Sequence, residues 1–234
     1  VSFDMSVSEI YPALCFGMTF VMATEEEIHN PSALADLLVA NNVQCITCTP
    51  SFITNMIDIP EFSRALANVK STLLAAESLP ANVVDRLKQL SPDIRIVNGY
   101  GPTETTVGCS AKIVDDINHI TIGGASKNVK LFAIDRFGNI LPKYASGELI
   151  ICGAGVTRGY VKLPEKTKAC FYSLLGLPAY HSGDIVRMDK NGEFEFFGRS
   201  DNQVKLRGFR VELDEIEKTF CSYTGIKQSK VVVR

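Results

Sequence analysis

Ser71-Thr72-Leu73-Leu74-Ala75, then Ala81-Asn82-Val83-Val84-Asp85-Arg86-Leu87-Lys88-Gln89-Leu90 behind Pro80, then Ile94-Arg95-Ile96-Val97, read as strand, helix and strand. The same unit stands upstream. Asn30 can cap a helix Pro31 to Ala40, with Pro31 at its first position, and the helix leads into a strand Val43 to Cys48. Further back, Val7, Ile10, Tyr11 and Leu14 recur at helical spacing in Val7 to Phe16, Gly17 stops that helix, and Thr19 to Met22 is extended. Repeated strand-helix-strand units predict an α/β fold with a largely parallel sheet covered by helices.

From about Ile120 the texture changes to short strands divided by turn residues. Val129 to Ile134 and Gly147 to Cys152 are extended around the turn Asp135-Arg136-Phe137-Gly138-Asn139. Ile185 to Met188 and Glu193 to Phe197 flank Asp189-Lys190-Asn191-Gly192, a hairpin signal. A strand Val204 to Leu206, a helix Leu213 to Cys221 and a strand Lys230 to Val233 then begin a third unit without partner strands. The expected organisation is an α/β part over 1–118, a small antiparallel, barrel-like β part over 119–200, and the start of a truncated α+β subdomain over 201–234.

Composition excludes several classes. With 46% hydrophobic and 21% charged residues the chain is of ordinary globular type, not disordered or fibrous. A formal charge of -2, from 24 basic and 26 acidic residues without a basic stripe, argues against nucleic acid as partner. No apolar stretch is long enough for a membrane span and the N-terminus has no signal-peptide pattern, so the expected address is cytoplasmic. Seven scattered cysteines, an odd number, suggest reduced, buried thiols. Cys45 and Cys48 form a C-x-x-C, but within what reads as a buried strand and without a second ligand pair, which favours packing over redox or zinc chemistry.

The segment with most chemistry is Asn98-Gly99-Tyr100-Gly101-Pro102-Thr103-Glu104-Thr105-Thr106, directly after a strand. Its glycines let backbone approach a ligand, a threonine hydroxyl can reach a phosphate, a carboxylate can hold Mg2+, and Tyr100 offers a flat face to a purine. A tight turn alone would explain the glycines and Pro102, but not the clustering of Tyr, Thr and Glu.

Tyr100-Gly101-Pro102-Thr103-Glu104 resembles the signature of the adenylate-forming, AMP-binding superfamily, and other blocks stand in the family's order. Phe3-Asp4-Met5-Ser6 is similar to its F-D-x-S block, Gly147 to Tyr160 to its G-E-L-x-I-x-G-x-G block, and Tyr180-His181-Ser182-Gly183-Asp184 to its Y-x-T-G-D block. Gly198 to Leu213 resembles the start of the family's C-terminal subdomain, in the form found in amino-acid adenylation domains of nonribosomal peptide synthetases. The resemblance implies the ANL-type adenylation fold and an ATP-dependent ligase that turns an α-amino acid into an aminoacyl-adenylate, releasing pyrophosphate. It further implies transfer to the phosphopantetheine thiol of a carrier protein or neighbouring synthetase domain.

By the same resemblance, Asn98, Gly99, Tyr100 and Gly101 lie at the nucleotide, Thr103 near its phosphates, and Glu104 on Mg2+. Asp184 binds the ribose, Arg199 assists at ribose or phosphate, and Asp201 is the hinge. For Asp184 the residues alone leave a turn-capping role open. Asp4 would pair with a substrate ammonium, a helix cap being the alternative. The remaining pocket positions are Met5, Ser8, Thr47, Leu73, Ala75, Gly99, Val107 and Gly108. None is charged; Gly99 and Gly108 suggest room for a large neutral side chain such as that of Phe or Tyr, with Thr47 and Ser8 able to reach a phenol. The family's phosphate loop and catalytic lysine block are not found, so the chain is expected to bind but catalyse poorly, as a piece of a longer enzyme. A D-alanine–carrier protein ligase is the alternative enzyme, suggested by Phe3 to Pro12 and Thr49-Pro50-Ser51-Phe52, and a non-catalytic adenylate-binding remnant is the alternative class.

Overall fold

The computed structural model describes residues 3–206 and 209–232. Its first half runs α1 (Met5–Cys15), α2 (Glu25–His29), α3 (Pro31–Ala40), β1 (Cys45–Cys48), α4 (Pro50–Met56), α5 (Pro60–Leu66), β2 (Ser71–Ala75), α6 (Ala81–Leu90) and β3 (Arg95–Tyr100). A 3-10 turn (Thr103–Thr105), β4 (Ser110–Ile113) and β5 (Gly124–Ala125) follow. The second half runs β6 (Val129–Ile134), β7 (Ser146–Gly153), α7 (Pro164–Cys170), β8 (Phe171–Leu174), β9 (Leu177–Met188) and β10 (Phe194–Arg199). Last come β11 (Gln203–Leu206), β12 (Phe209–Glu212) and α8 (Leu213–Cys221).

The first sheet has the order β1-β2-β3-β4-β5. β1, β2 and β3 are parallel, as the strand-helix-strand units require, but β4 and β5 add antiparallel, so the sheet is mixed. Asn30 caps α3 as expected, its Oδ1 accepting from the amides of Ser32 and Ala33 at 3.1 and 3.2 Å. Phe62, Leu66, Val69, Leu74, Val84 and Ile96 meet in the core between this sheet and its helices. The second sheet is antiparallel, β10-β9-β7-β6 with β8 on β9. β11 and β12 form a separate two-stranded hairpin.

Four expectations need correction. Residues 19–22 form no strand, for no neighbouring strand pairs with them. Residues 230–232 form none either, and Val233 lies outside the described residues. The thiols are all unbridged, but only Cys109 and Cys152 are buried; β1 is a sheet edge, which leaves Cys45 exposed. The apolar face read in α1 is also turned outward, with Tyr11 and Leu14 exposed and Met5 and Ala13 inside. Among the described residues no helix is long and apolar enough to cross a membrane.

The two sheets are joined backbone to backbone: the amide of Ile122 donates to Phe194 O at 2.8 Å and that of Phe194 to Gly123 O at 3.0 Å. Gly123 has φ +81°, and a Cβ there would press on the carbonyl of Ala111. Gly123→Ala is therefore expected to lower stability by at least ~1–2 kcal/mol, the cost of the left-handed conformation alone. Urea denaturation checks this, and an unchanged midpoint would contradict it.

Candidate functional site

At the C-terminal end of β3 a cavity of about 220 Å³ opens between the first sheet, the N-terminus of α1, the second sheet and the β11–β12 hairpin. Strand ends are where open α/β sheets leave room for a ligand. Two of its walls come from the loop after β3. Gly101 packs so closely on the backbone of Val107 and Gly108 that any Cβ would collide with the Val107 carbonyl. Thr106 and Val107 then take φ of +64° and +68° in succession. For β-branched residues that is strained, and strain of this kind persists only where the surroundings impose it. Here Thr106 Oγ1 donates to Gly155 O at 2.7 Å and the Thr157 amide to Glu104 O at 2.9 Å.

Of the residues read as substrate-binding, Asp4, Met5, Ser8, Leu73, Ala75, Gly99, Val107 and Gly108 all line the cavity, and Thr47 does not. The register explains Thr47. Thr47, Leu73 and Gly99 are paired in a row across β1, β2 and β3, so Leu73 stands between Thr47 and the cavity. Leu73 also fills the space above Gly99: a Cβ on Gly99 would lie 2.9 Å from Leu73 Cδ1. Gly99 therefore frees no volume for a bulky ligand, whereas nothing lies within 4 Å of a Cβ at Gly108.

Asp4 stands at the N-cap of α1 without making a capping hydrogen bond. Its Oδ2 is buried and has no partner. A carboxylate oxygen held out of water in this way is costly unless a donor arrives. Ser8 has already committed its hydroxyl to Met5 O at 2.6 Å.

Of the residues assigned to a nucleotide and its metal, Gly99, Tyr100, Gly101, Thr103, Asp184 and Arg199 line the cavity. Asn98 and Glu104 are not on its wall. The buried Asn98 amide donates to Thr121 O at 2.8 Å, which ties β3 to the next loop. Tyr100 is buried, and its hydroxyl donates a short hydrogen bond to Asp184 Oδ2. Asp184 lies within β9 and its side chain is 5% exposed. Its Oδ1 accepts from Arg199 Nη1 at 2.9 Å. No backbone amide among the described residues bonds to its carboxylate, so it caps no turn. Burial pushes Asp184 above the usual carboxylate range, against the pull of the Tyr100 hydroxyl and the Arg199 guanidinium. Tyr100 is driven well above its ordinary range by the same burial and by the Asp184 charge.

Arg199 connects this acid to Asp201. It holds Asp201 through Nε and Nη2, both at 2.7 Å, a fork-on-carboxylate geometry. Hydrogen bonds from Arg199 keep the Asp201 carboxyl below its usual range.

Glu104 lies behind the loop, its side chain 8% exposed. Its Oε1 accepts from Tyr160 Oη at 2.6 Å and Arg210 Nη1 at 2.7 Å, while Oε2 is buried without a partner. Burial works to raise this group, but those two donors outweigh it and hold Glu104 below the ordinary glutamate range. Tyr160 and Arg210 were not singled out from the sequence, although both stand inside the blocks quoted above. Their side chains reach the site from segments 56 to 106 residues away from Glu104, a distance no local pattern spans.

The profile of the AMP-binding enzyme family matches residues 1–161 of the chain. The chain belongs to the AMP-binding enzyme family. As a member it is similar to the D-alanine–D-alanyl carrier protein ligase of Lactiplantibacillus plantarum, 35% identical over 99% of the chain and 47% of the ligase. It is 34% identical to gramicidin S synthase 2 of Brevibacillus brevis, over 99% of the chain and 5% of that protein. Among solved structures it resembles PA1221, an NRPS protein containing adenylation and PCP domains, with a TM-score of 0.88 and 30% identity over 100% of the chain and 48% of that protein. The AMP-binding chain thus has the ANL adenylation fold, and it spans about half the length of the curated ligases it matches.

Proposed function

We propose that the chain binds an α-amino acid and ATP side by side and forms an aminoacyl-adenylate, which is passed to the phosphopantetheine thiol of a carrier protein. One observation supports this reading above the others. Asp4, half-buried and with its Oδ2 out of water and without a partner, lines the same cavity as Asp184 and Thr103. An ammonium group satisfies Asp4, and a ribose with its phosphates satisfies the far side, so the substrate carboxylate falls between them.

In that arrangement a substrate carboxylate oxygen attacks the α-phosphorus. The P–O bond to the β-phosphate breaks and pyrophosphate leaves with the bonding pair. Such reactions depend chiefly on positioning and charge neutralisation. Asp184 would accept from the ribose hydroxyls, with Arg199 holding the carboxylate in place. The orphaned Oε2 of Glu104 fits a hard divalent cation, and Mg2+ bound there would neutralise phosphate charge.

The size of the amino acid is proposed on two competing observations. The open side of Gly108 favours the large neutral side chain expected from the sequence. Leu73 over Gly99, with Met5 beside it, favours a small one, and D-alanine fits that second reading. A thermal-shift panel of D-alanine, glycine, phenylalanine and tyrosine, each with AMP, decides between them. A ligand at about 100 times its Kd adds ~2.7 kcal/mol of stability. Stabilisation by phenylalanine or tyrosine supports the large pocket, and stabilisation by D-alanine alone supports the small one. No response to any amino acid, with AMP bound, sinks the amino-acid reading.

A further inference from the structure

Away from the cavity, His119, Asp189 and Glu193 bring a ring nitrogen and two carboxylates to one spot, with their ligating atoms all within 4.8 Å of one another. Asp189 and Glu193 stand at the turn between β9 and β10, and His119 stands on the loop from β4 to β5. None of the three lines the cavity, and the adenylation reading uses none of them.

Asp189 is buried, and its Oδ1 accepts from the amides of Asn191 and Glu193 at 2.8 and 2.9 Å. That fixes Oδ2 toward His119 Nε2 at 3.1 Å, with Asn191 Nδ2 beside it at 3.3 Å. Glu193 is oriented in the same manner. Its Oε2 accepts from Thr121 Oγ1 at 3.0 Å, and that hydroxyl accepts from the Gly123 amide at 3.2 Å. Outer hydrogen bonds of this kind aim the carboxylates of metal sites. The Lys112 ammonium sits on Glu193 Oε1 and also feels Asp115 and Asp189. Three carboxylates against one ammonium leave a surplus of two negative charges, the charge of one divalent ion. The His119 side chain is 39% exposed, which gives an ion a way in.

We infer that His119 Nε2, Asp189 Oδ2 and a carboxylate oxygen of Glu193 form a binding site for a divalent transition ion of the zinc class. One imidazole nitrogen with two carboxylate oxygens suits such an ion, whereas Mg2+ and Ca2+ favour oxygen alone. Metal–ligand bonds of about 2.1 Å place ligand atoms at most ~4.2 Å apart, so a small closing movement completes the site. The ring proton stands on Nδ1 when Nε2 takes the ion, and Lys112 gives way at Glu193. The ion clamps the loop to the β9–β10 turn beside the backbone bonds of Ile122 and Phe194 that join the two sheets. Thr121 carries both the hydroxyl on Glu193 and the carbonyl that holds Asn98, so the clamp also stiffens β3.

The chain has three histidines, so their ring nitrogens can be followed one by one by 15N NMR as Zn2+ is added to the full chain. The His119 ring, identified by its absence in His119→Gln, is expected to shift and to saturate at one equivalent. Asp189→Asn and Glu193→Gln are each expected to weaken Zn2+ binding by about ten- to hundredfold in calorimetric titration. Lys112→Gln, which frees Glu193, is expected to tighten it. The double variant Cys45→Ser, Cys48→Ser removes a rival thiol pair and is expected to keep the His119 shift. A His119 ring that excess Zn2+ leaves unmoved, an equal shift with Mg2+, unchanged affinity in Asp189→Asn, or loss of the shift in the thiol variant would each overturn the inference. Thermal melts without metal show which variants are folded. If one is not, the wild-type ring shift and the Mg2+ comparison still decide.

Discussion

Asp184→Ala should weaken AMP and ATP binding by one to two orders of magnitude while leaving the choice among amino acids unchanged. The carboxylate is the acceptor proposed for the ribose hydroxyls, and a charged acceptor facing neutral donors contributes roughly 1.5–3 kcal/mol. That range corresponds to about a tenfold to hundredfold change in Kd. Removing it also takes the carboxylate acceptor from the Tyr100 hydroxyl and from Arg199 Nη1, which keeps only its bond to Ser182 O. Asp184→Asn separates these effects, because it keeps the volume and one acceptor oxygen but not the charge. Calorimetric titration with AMP, beside a thermal melt of each variant, reads both. Normal AMP affinity in Asp184→Ala, with altered amino-acid preference, would reverse the roles assigned to the two ends of the cavity.

The largest loss of stability is expected at Phe62. Its side chain is fully buried (0% exposed) in α5, inside the cluster that binds the helices to the first sheet. Phe62→Ala deletes a ring in a close-packed region that can relax only in part, which costs about 3–5 kcal/mol. Because this core carries β2 and β3, the cavity wall at Leu73, Ala75 and Gly99 should loosen with it. Urea denaturation gives the number, and a loss below about 1 kcal/mol would show that the site collapses around the void more readily than a packed core does.

What could be read from the sequence follows from how local each signal is. The extents of β2, α6, β6 and α8 are as expected, because each is bounded by its own turn or cap residues. The antiparallel addition of β4 and β5 was not legible, since Gly124 and Ala125 carry no strand pattern and pair only because Gly123 lets the chain approach Ala111. At the site, the ordered blocks named the loop after β3 and its partner acid in β9. They could not show that Asn98 turns to Thr121, that Leu73 screens Thr47, or that Arg210 reaches Glu104. Those outcomes depend on strand register and on contacts between distant segments, which spacing along one chain does not encode.

The central claim is that one cavity holds an amino acid at Asp4 and an adenosine phosphate at Asp184. Titration with a series of aminoacyl-sulfamoyl adenosines, stable mimics of the aminoacyl-adenylate, tests it most directly. At least one member of the series should bind 100-fold or more tightly than AMP, since joining two bound fragments adds their interactions, and a gain of ~2.7 kcal/mol is two decades in Kd. That advantage should vanish in Asp4→Ala, with AMP affinity retained. If every member of the series binds no better than AMP, or if Asp4→Ala keeps the full advantage, the cavity does not join an amino-acid site to a nucleotide site.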